Sequence, residues 1–145
     1  MIVRPAGADD VPALAIIAEG SYRAAFAKIL EADILASRDG AFFAKRFTSS
    51  WERMLVACSG ERPVGFLLMT DGHIDMLFMD PMVSSRGGGS LLLEAAEQQG
   101  ARSLECFRDN HGARRFYERH GWKVDREYDR EFAGRSRSFV FYVKG

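Results

Sequence analysis

The order of apolar and polar residues changes period along this chain, and the changes predict its elements. Ile2 to Arg4 reads as a short strand stopped by Pro5 and Gly7. Val11, Leu14, Ala15, Ile17 and Ala18 then recur on one helical face. Asp9 or Asp10 can cap that helix, and Pro12 falls in its first turn, where a missing N–H costs little. Gly20 interrupts the pattern, and a second helical stretch is predicted over about 21–37 along Tyr22, Phe26, Ile29, Leu30 and Ile34. Phe42, Phe43 and Phe47 suggest a third short helix. From Arg53 the period is that of strands: 54–57, 64–69 and 73–79 form an antiparallel meander, turned at Ser59-Gly60-Glu61-Arg62-Pro63 and at Asp71-Gly72. A helix over 90–99 follows, with Leu91, Leu92, Ala95 and Ala96 facing inward and Gly100 as its stop. The strand at 102–107 returns through that helix, parallel to the third meander strand. Asn110 can cap a helix over 113–120, and 122–128 with 136–143 close the chain as a hairpin around Phe132-Ala133-Gly134-Arg135.

No repeat or linker breaks this run, so residues 1–145 read as a single domain, large enough to bury a core without disulfide staples. Twenty basic residues balance twenty acidic ones, which argues against nucleic acid as the main partner. Two cysteines, Cys58 and Cys106, make neither a disulfide framework nor a metal-ligand pattern, so no metal is expected. Met1-Ile2-Val3-Arg4-Pro5 does not read as a signal peptide and no apolar run has the length of a membrane span, so a cytoplasmic location and no membrane partner are expected.

The segment with most chemical content runs from Leu77 to Leu91: a strand, the Pro81 stop, Ser84-Ser85-Arg86-Gly87-Gly88-Gly89, and a helix start at Ser90. A helix N-terminus offers unpaired N–H groups and the positive end of the macrodipole, and glycine lets the backbone approach an anion closely. Ser84, Ser85 and Ser90 add hydroxyl donors and Arg86 adds charge. This is the pattern of a pyrophosphate-binding loop. It is no Walker A loop, because no Gly-Lys-Ser/Thr follows, and no dinucleotide fingerprint, because it comes late, after a meander.

Asn110-His111-Gly112-Ala113-Arg114-Arg115-Phe116-Tyr117-Glu118-Arg119-His120-Gly121-Trp122 sits on the helix after the parallel strand. Together the two segments resemble the GNAT superfamily of N-acetyltransferases, whose second signature, Asn-x-x-Ala-x-x-Phe-Tyr-x-x-x-Gly-Phe, is matched almost throughout, Trp122 standing for the usual Phe. The first signature departs: the usual Arg or Gln falls on Ser84, the glycine often found next falls on Ser85, and Gly88 replaces an aliphatic residue. Gly88 therefore predicts a more mobile loop and weaker cofactor binding. The resemblance implies an α/β (α+β) fold with a mixed, mostly antiparallel central sheet, splayed between the fourth and fifth strands and flanked by helices.

It also implies acetyl-CoA as cosubstrate and a primary amine as acceptor, attacked directly in a ternary complex. The loop from Ser84 to Ser90 would hold the diphosphate, and the backbones of Leu77 and Met79 the pantetheine arm. Asn110 would bond that arm or only cap its helix. Tyr117 would protonate the departing sulfur. For the base, His73 and Asp75 are expected on one strand face with Leu77 and Met79. Glu31, Asp33, Asp71 and Asp75 suggest a polyamine-like small molecule; a peptide amine stays open, as does a homodimer. The competing class is a non-catalytic acetyl-CoA-binding regulatory module.

Overall fold

The computed structural model describes residues 1–83 and 87–145. Its strands are β1 (Ile2–Pro5), β2 (Met54–Ser59), β3 (Arg62–Thr70), β4 (His73–Met79), β5 (Ser103–Phe107), β6 (Lys123–Phe132) and β7 (Arg135–Val143). The helices are α1 (Val11–Phe26), α2 (Ala32–Ser37), α3 (Gly40–Thr48), α4 (Gly88–Gln98) and α5 (His111–Arg119). One seven-stranded sheet orders them β1-β2-β3-β4-β5-β7-β6. Every neighbouring pair is antiparallel except β4–β5. None of the described helices is long and apolar enough to cross a membrane.

One expected boundary moves. Gly20 does not end the first helix: α1 continues through it to Phe26 because Ser21, Tyr22 and Phe26 extend the buried stripe begun at Val11. Burial of that face outweighs the helix cost of one glycine, about 1 kcal/mol. The break comes later, between Phe26 and Ala32. The Asp71-Gly72 turn has both residues at positive φ, 48° and 80°, as a tight hairpin requires.

Two apolar layers sandwich the sheet. On one face α1, α2 and α3 pack over Met54, Val56, Phe66, Leu68, Phe107 and Phe139. On the other, α4 and α5 cover Leu55, Leu67, Ile74, Leu104, Val140 and Tyr142. Two irregularities in β4 shape the middle of the sheet. First, Leu68 pairs with Met76 while Met69 pairs with Ile74, so Asp75 is the extra residue of a β-bulge. Second, β4 pairs with β5 only at His73–Ser103 and Ile74–Leu104. Beyond those two pairs the parallel strands part.

Candidate active site

The parting strands leave a passage through the sheet. A cavity of about 290 Å³ occupies it, bounded on the α1–α3 side by Tyr22, Phe42 and Phe132 and on the α5 side by Cys106, Ala113 and Tyr117. The backbone of β4 faces the gap in a defined way. Asp80 N–H donates to the Val64 carbonyl, toward β3. Alternation along an antiparallel pair therefore turns the N–H and C=O of Leu77 and Met79 the other way, into the gap. The Ser21 hydroxyl of α1 donates to the Met79 carbonyl at 2.8 Å. That oxygen keeps a second lone pair for another donor.

The bulge corrects the expected placement of the base candidates. It resets the phase of β4, so Leu77 and Met79 lie with the α4–α5 core while Met76 and Phe78 lie with the α1–α3 core. His73 and Asp75 do not share a face with Leu77 and Met79. His73 is held where β4 and β5 are still paired, with Nδ1 2.8 Å from Ser103 Oγ and its ring stacked on Phe141. It does not line the cavity. Asp75 does, and accepts a 2.7 Å hydrogen bond from the Thr70 hydroxyl.

Tyr117 is 8% exposed, packs between Phe116, Trp122 and Tyr142, and lines the cavity from α5. Its hydroxyl bonds no described residue. Burial pushes the phenol well above its ordinary range, and the neighbouring Cys106 and Tyr142 add to the shift. Burial likewise pushes the Cys106 thiol up to about 12, so it is a neutral wall group. Asn110 caps its helix, its side chain accepting from Ala113 N–H at 3.3 Å, and it also borders the cavity. Arg114, also on α5, is partly buried. It donates to the Tyr142 hydroxyl and the Arg108 carbonyl, at 3.0 and 3.1 Å.

At the other end, Ser84, Ser85 and Arg86 lie outside the described residues. Gly87 caps α4 with φ at 82°, a conformation that costs a non-glycine residue about 1–2 kcal/mol. Among the described residues no side chain caps it, and the first-turn N–H groups at Gly88, Gly89 and Ser90 have no helical partners. Gly88 is buried, and a Cβ there would strike the ends of the Met79 and Met1 side chains. Methionine side chains thus occupy the space that a side chain at position 88 would take. The Phe116 ring rests 3.4 Å from a Cβ position at Gly89.

His120, unassigned by sequence, pins this end. Its Nδ1 is 2.8 Å from the Phe116 carbonyl, which can only accept, so Nδ1 carries hydrogen. In the neutral ring Nε2 then accepts from the Ser90 hydroxyl at 2.9 Å.

The α1–α3 end is basic. Arg38, Arg46 and Arg130 border the cavity against Asp75 and Glu105. Of Glu31, Asp33, Asp71 and Asp75, only Asp75 reaches it, and Glu31 is clasped by Arg137 at 2.6 and 3.1 Å. The acidic lining expected for a polyamine is therefore not assembled. Sequence reading missed Arg38 and Arg46 because one lies at the end of α2 and the other in the last turn of α3, with no spacing that marks them as a pair.

The family model for the acetyltransferase (GNAT) domain matches residues 24–138. Peptidyl-lysine N-acetyltransferase YjaB of Salmonella typhimurium is 38% identical over 65 residues, 44% of this chain and 45% of that protein. The match thus spans less than half the length of that curated relative. Among solved structures, a GCN5-related N-acetyltransferase from Rhodopseudomonas palustris is 26% identical, with a TM-score of 0.76 over 99% of this chain and 94% of that one. PaiA N-acetyltransferase from Thermoplasma acidophilum, solved in complex with coenzyme A, is similar in fold at 20% identity, with a TM-score of 0.76 over 99% and 98% of the two chains.

Proposed function

The chain belongs to the GNAT acetyltransferase family, and from that premise we propose that it is an acetyl-CoA-dependent N-acetyltransferase acting on a primary amine of a small molecule or peptide. One observation carries this reading: the cavity lies at the β4/β5 gap and is lined from both faces of the sheet, by Tyr117 on one side and by Tyr22, Phe42 and Phe132 on the other. A cosubstrate and an acceptor can then meet from opposite faces. The described residues fit acetyl-CoA. The first-turn N–H groups of α4 suit its diphosphate, and the outward backbone of Leu77 and Met79 suits its amide-bearing arm. Ser84, Ser85 and Arg86 would complete the anion site, with Ser90 oriented by His120.

Acetyl-CoA supplies an activated acetyl group: the amine's new N–C bond forms as the C–S bond breaks, and coenzyme A leaves as the thiol. The chain's residues have three tasks. The Leu77 N–H, facing the gap, steadies negative charge growing on the carbonyl oxygen. Tyr117, kept protonated by burial, donates its phenolic proton to the departing sulfur. Asp75, at the bulge, takes up the amine's proton through water; His73, off the cavity, is not assigned that role.

The test is thiol release from acetyl-CoA against a panel of amines, with acetylated product identified by mass spectrometry. Turnover of at least one amine is expected. Calorimetric binding of acetyl-CoA with no turnover on any amine would leave a regulatory coenzyme-binding module instead.

A further inference from the structure

The α1–α3 side of the cavity carries an uneven set of charges. Three guanidiniums border the cavity against two carboxylates, and both carboxylates are engaged. Glu105 is held by Arg130 at 2.5 and 2.9 Å and by the Tyr128 hydroxyl at 2.5 Å. Asp75 is held by Thr70. Arg38 and Arg46, in contrast, pair with no carboxylate among the described residues. Arg38 is not loose: its guanidinium lies 4.6 Å from the Phe42 ring centroid and 5.7 Å from that of Phe132, which fixes it on the cavity wall. Its charge, with smaller contributions from Arg137 and then Arg46, partly opposes the upward push that burial gives the Tyr22 phenol.

A guanidinium held against aromatic faces and lacking a carboxylate is a preformed receptor for one. The rings around it, Tyr22, Phe42 and Phe132, suit an apolar body. The volume, about 290 Å³, sits at the floor of the ~300–1,000 Å³ range of small-molecule sites, and it must also admit an acetyl group. Resting on the acetyltransferase function proposed for this site, we propose that the acceptor is an amine bearing its own carboxylate, a free amino acid with an apolar side chain, whose carboxylate is bound by Arg38 and Arg46. Its amine then points toward Asp75 and the gap. A polycation on the same side of the cavity meets unbalanced positive charge.

The experiment uses the full chain and pairs each acid with its carboxamide: phenylalanine with phenylalaninamide, leucine with leucinamide, and spermidine as the polycation. Thiol release gives kcat/KM, and calorimetry on coenzyme-A-loaded protein gives binding. The acids should exceed their amides by about tenfold, the worth of one charge-assisted hydrogen bond. The amides have the less basic amine, so intrinsic reactivity runs against this expectation. Arg38→Gln and Arg46→Gln should each erase most of the preference and leave coenzyme A affinity unchanged; Arg46 is exposed, so its variant tests the idea without risk to folding. Amides or spermidine turned over as well as the acids overturn the inference alone, as does a lysine peptide preferred to every amino acid, or a preference that survives both variants. Acids that bind selectively without any transfer support the inference and sink the catalytic reading. Where nothing binds and nothing reacts, both fall.

Discussion

Tyr117 is a residue whose environment suits one role and spoils others. Buried among Phe116, Trp122 and Tyr142, it cannot ionise near neutrality, so it is no base and no anion. It remains a proton donor across the working range. Removal of the hydroxyl as Tyr117→Phe should lower kcat by about 10²-fold, the lower end of what a positioned acid contributes, while coenzyme A affinity stays nearly constant. Its elevated pKa sets the pH profile as well. Rate should climb as the amine loses its proton and then stay level at pH 10, where an ordinary phenol of pKa ~10 would be half ionised. A wild-type profile that falls between pH 8 and 10, or a variant with undiminished kcat, would assign the proton to another group.

At the scale of elements, one carboxylate ties β6, the outer strand of the closing hairpin, to β5. Glu105 takes hydrogen bonds from Arg130 and Tyr128, both on β6, although β6 pairs with β7 and not with β5. Burial pushes the Glu105 pKa up, but the bonds from Arg130 and then Tyr128 outweigh it and leave the carboxyl below its ordinary value. A depressed carboxylate contributes stability above the unfolded value, near ~4.3, and loses it as pH falls through the folded one. Glu105→Gln should therefore cost about 1–2 kcal/mol at pH 7, the worth of a partly exposed charge-assisted pair. The gap to wild type should close toward pH 3. Denaturant melts of both proteins at several pH values check this; a gap that does not change with pH refutes it. Much at this scale was legible in sequence. The strands, the α4 and α5 helices and the Asp71-Gly72 turn follow from period and turn chemistry. The order β5-β7-β6 and the bulge at Asp75 do not, because both depend on pairing across the sheet. Alternation alone thus put His73 and Asp75 on the face of Leu77 and Met79, and one extra residue undid it.

Taken as a whole, the molecule is two sheet portions, β1–β4 and β5-β7-β6, joined at two residue pairs and by the cores on either face. The opening follows from an imbalance visible in the registers: β4 is paired with β3 along its length except at Asp75, and β5 with β7 throughout, yet β4 and β5 share only their first residues. A ligand whose amides complete the unpaired edge of β4 would act as a strand between them. Saturating coenzyme A at 100 times its Kd stabilises the folded state by about 2.7 kcal/mol, roughly 5–10 °C in Tm for a chain of this size. Where protection appears is the more telling measurement. Amide hydrogen exchange should slow most at Leu77 and Met79, whose N–H groups face the gap, and at the first turn of α4. Phe78, whose N–H already points to β3, should change little. Slowing spread evenly along β4 would mean only that the fold had tightened, whereas the odd-residue pattern requires a hydrogen-bonding partner lying in the split.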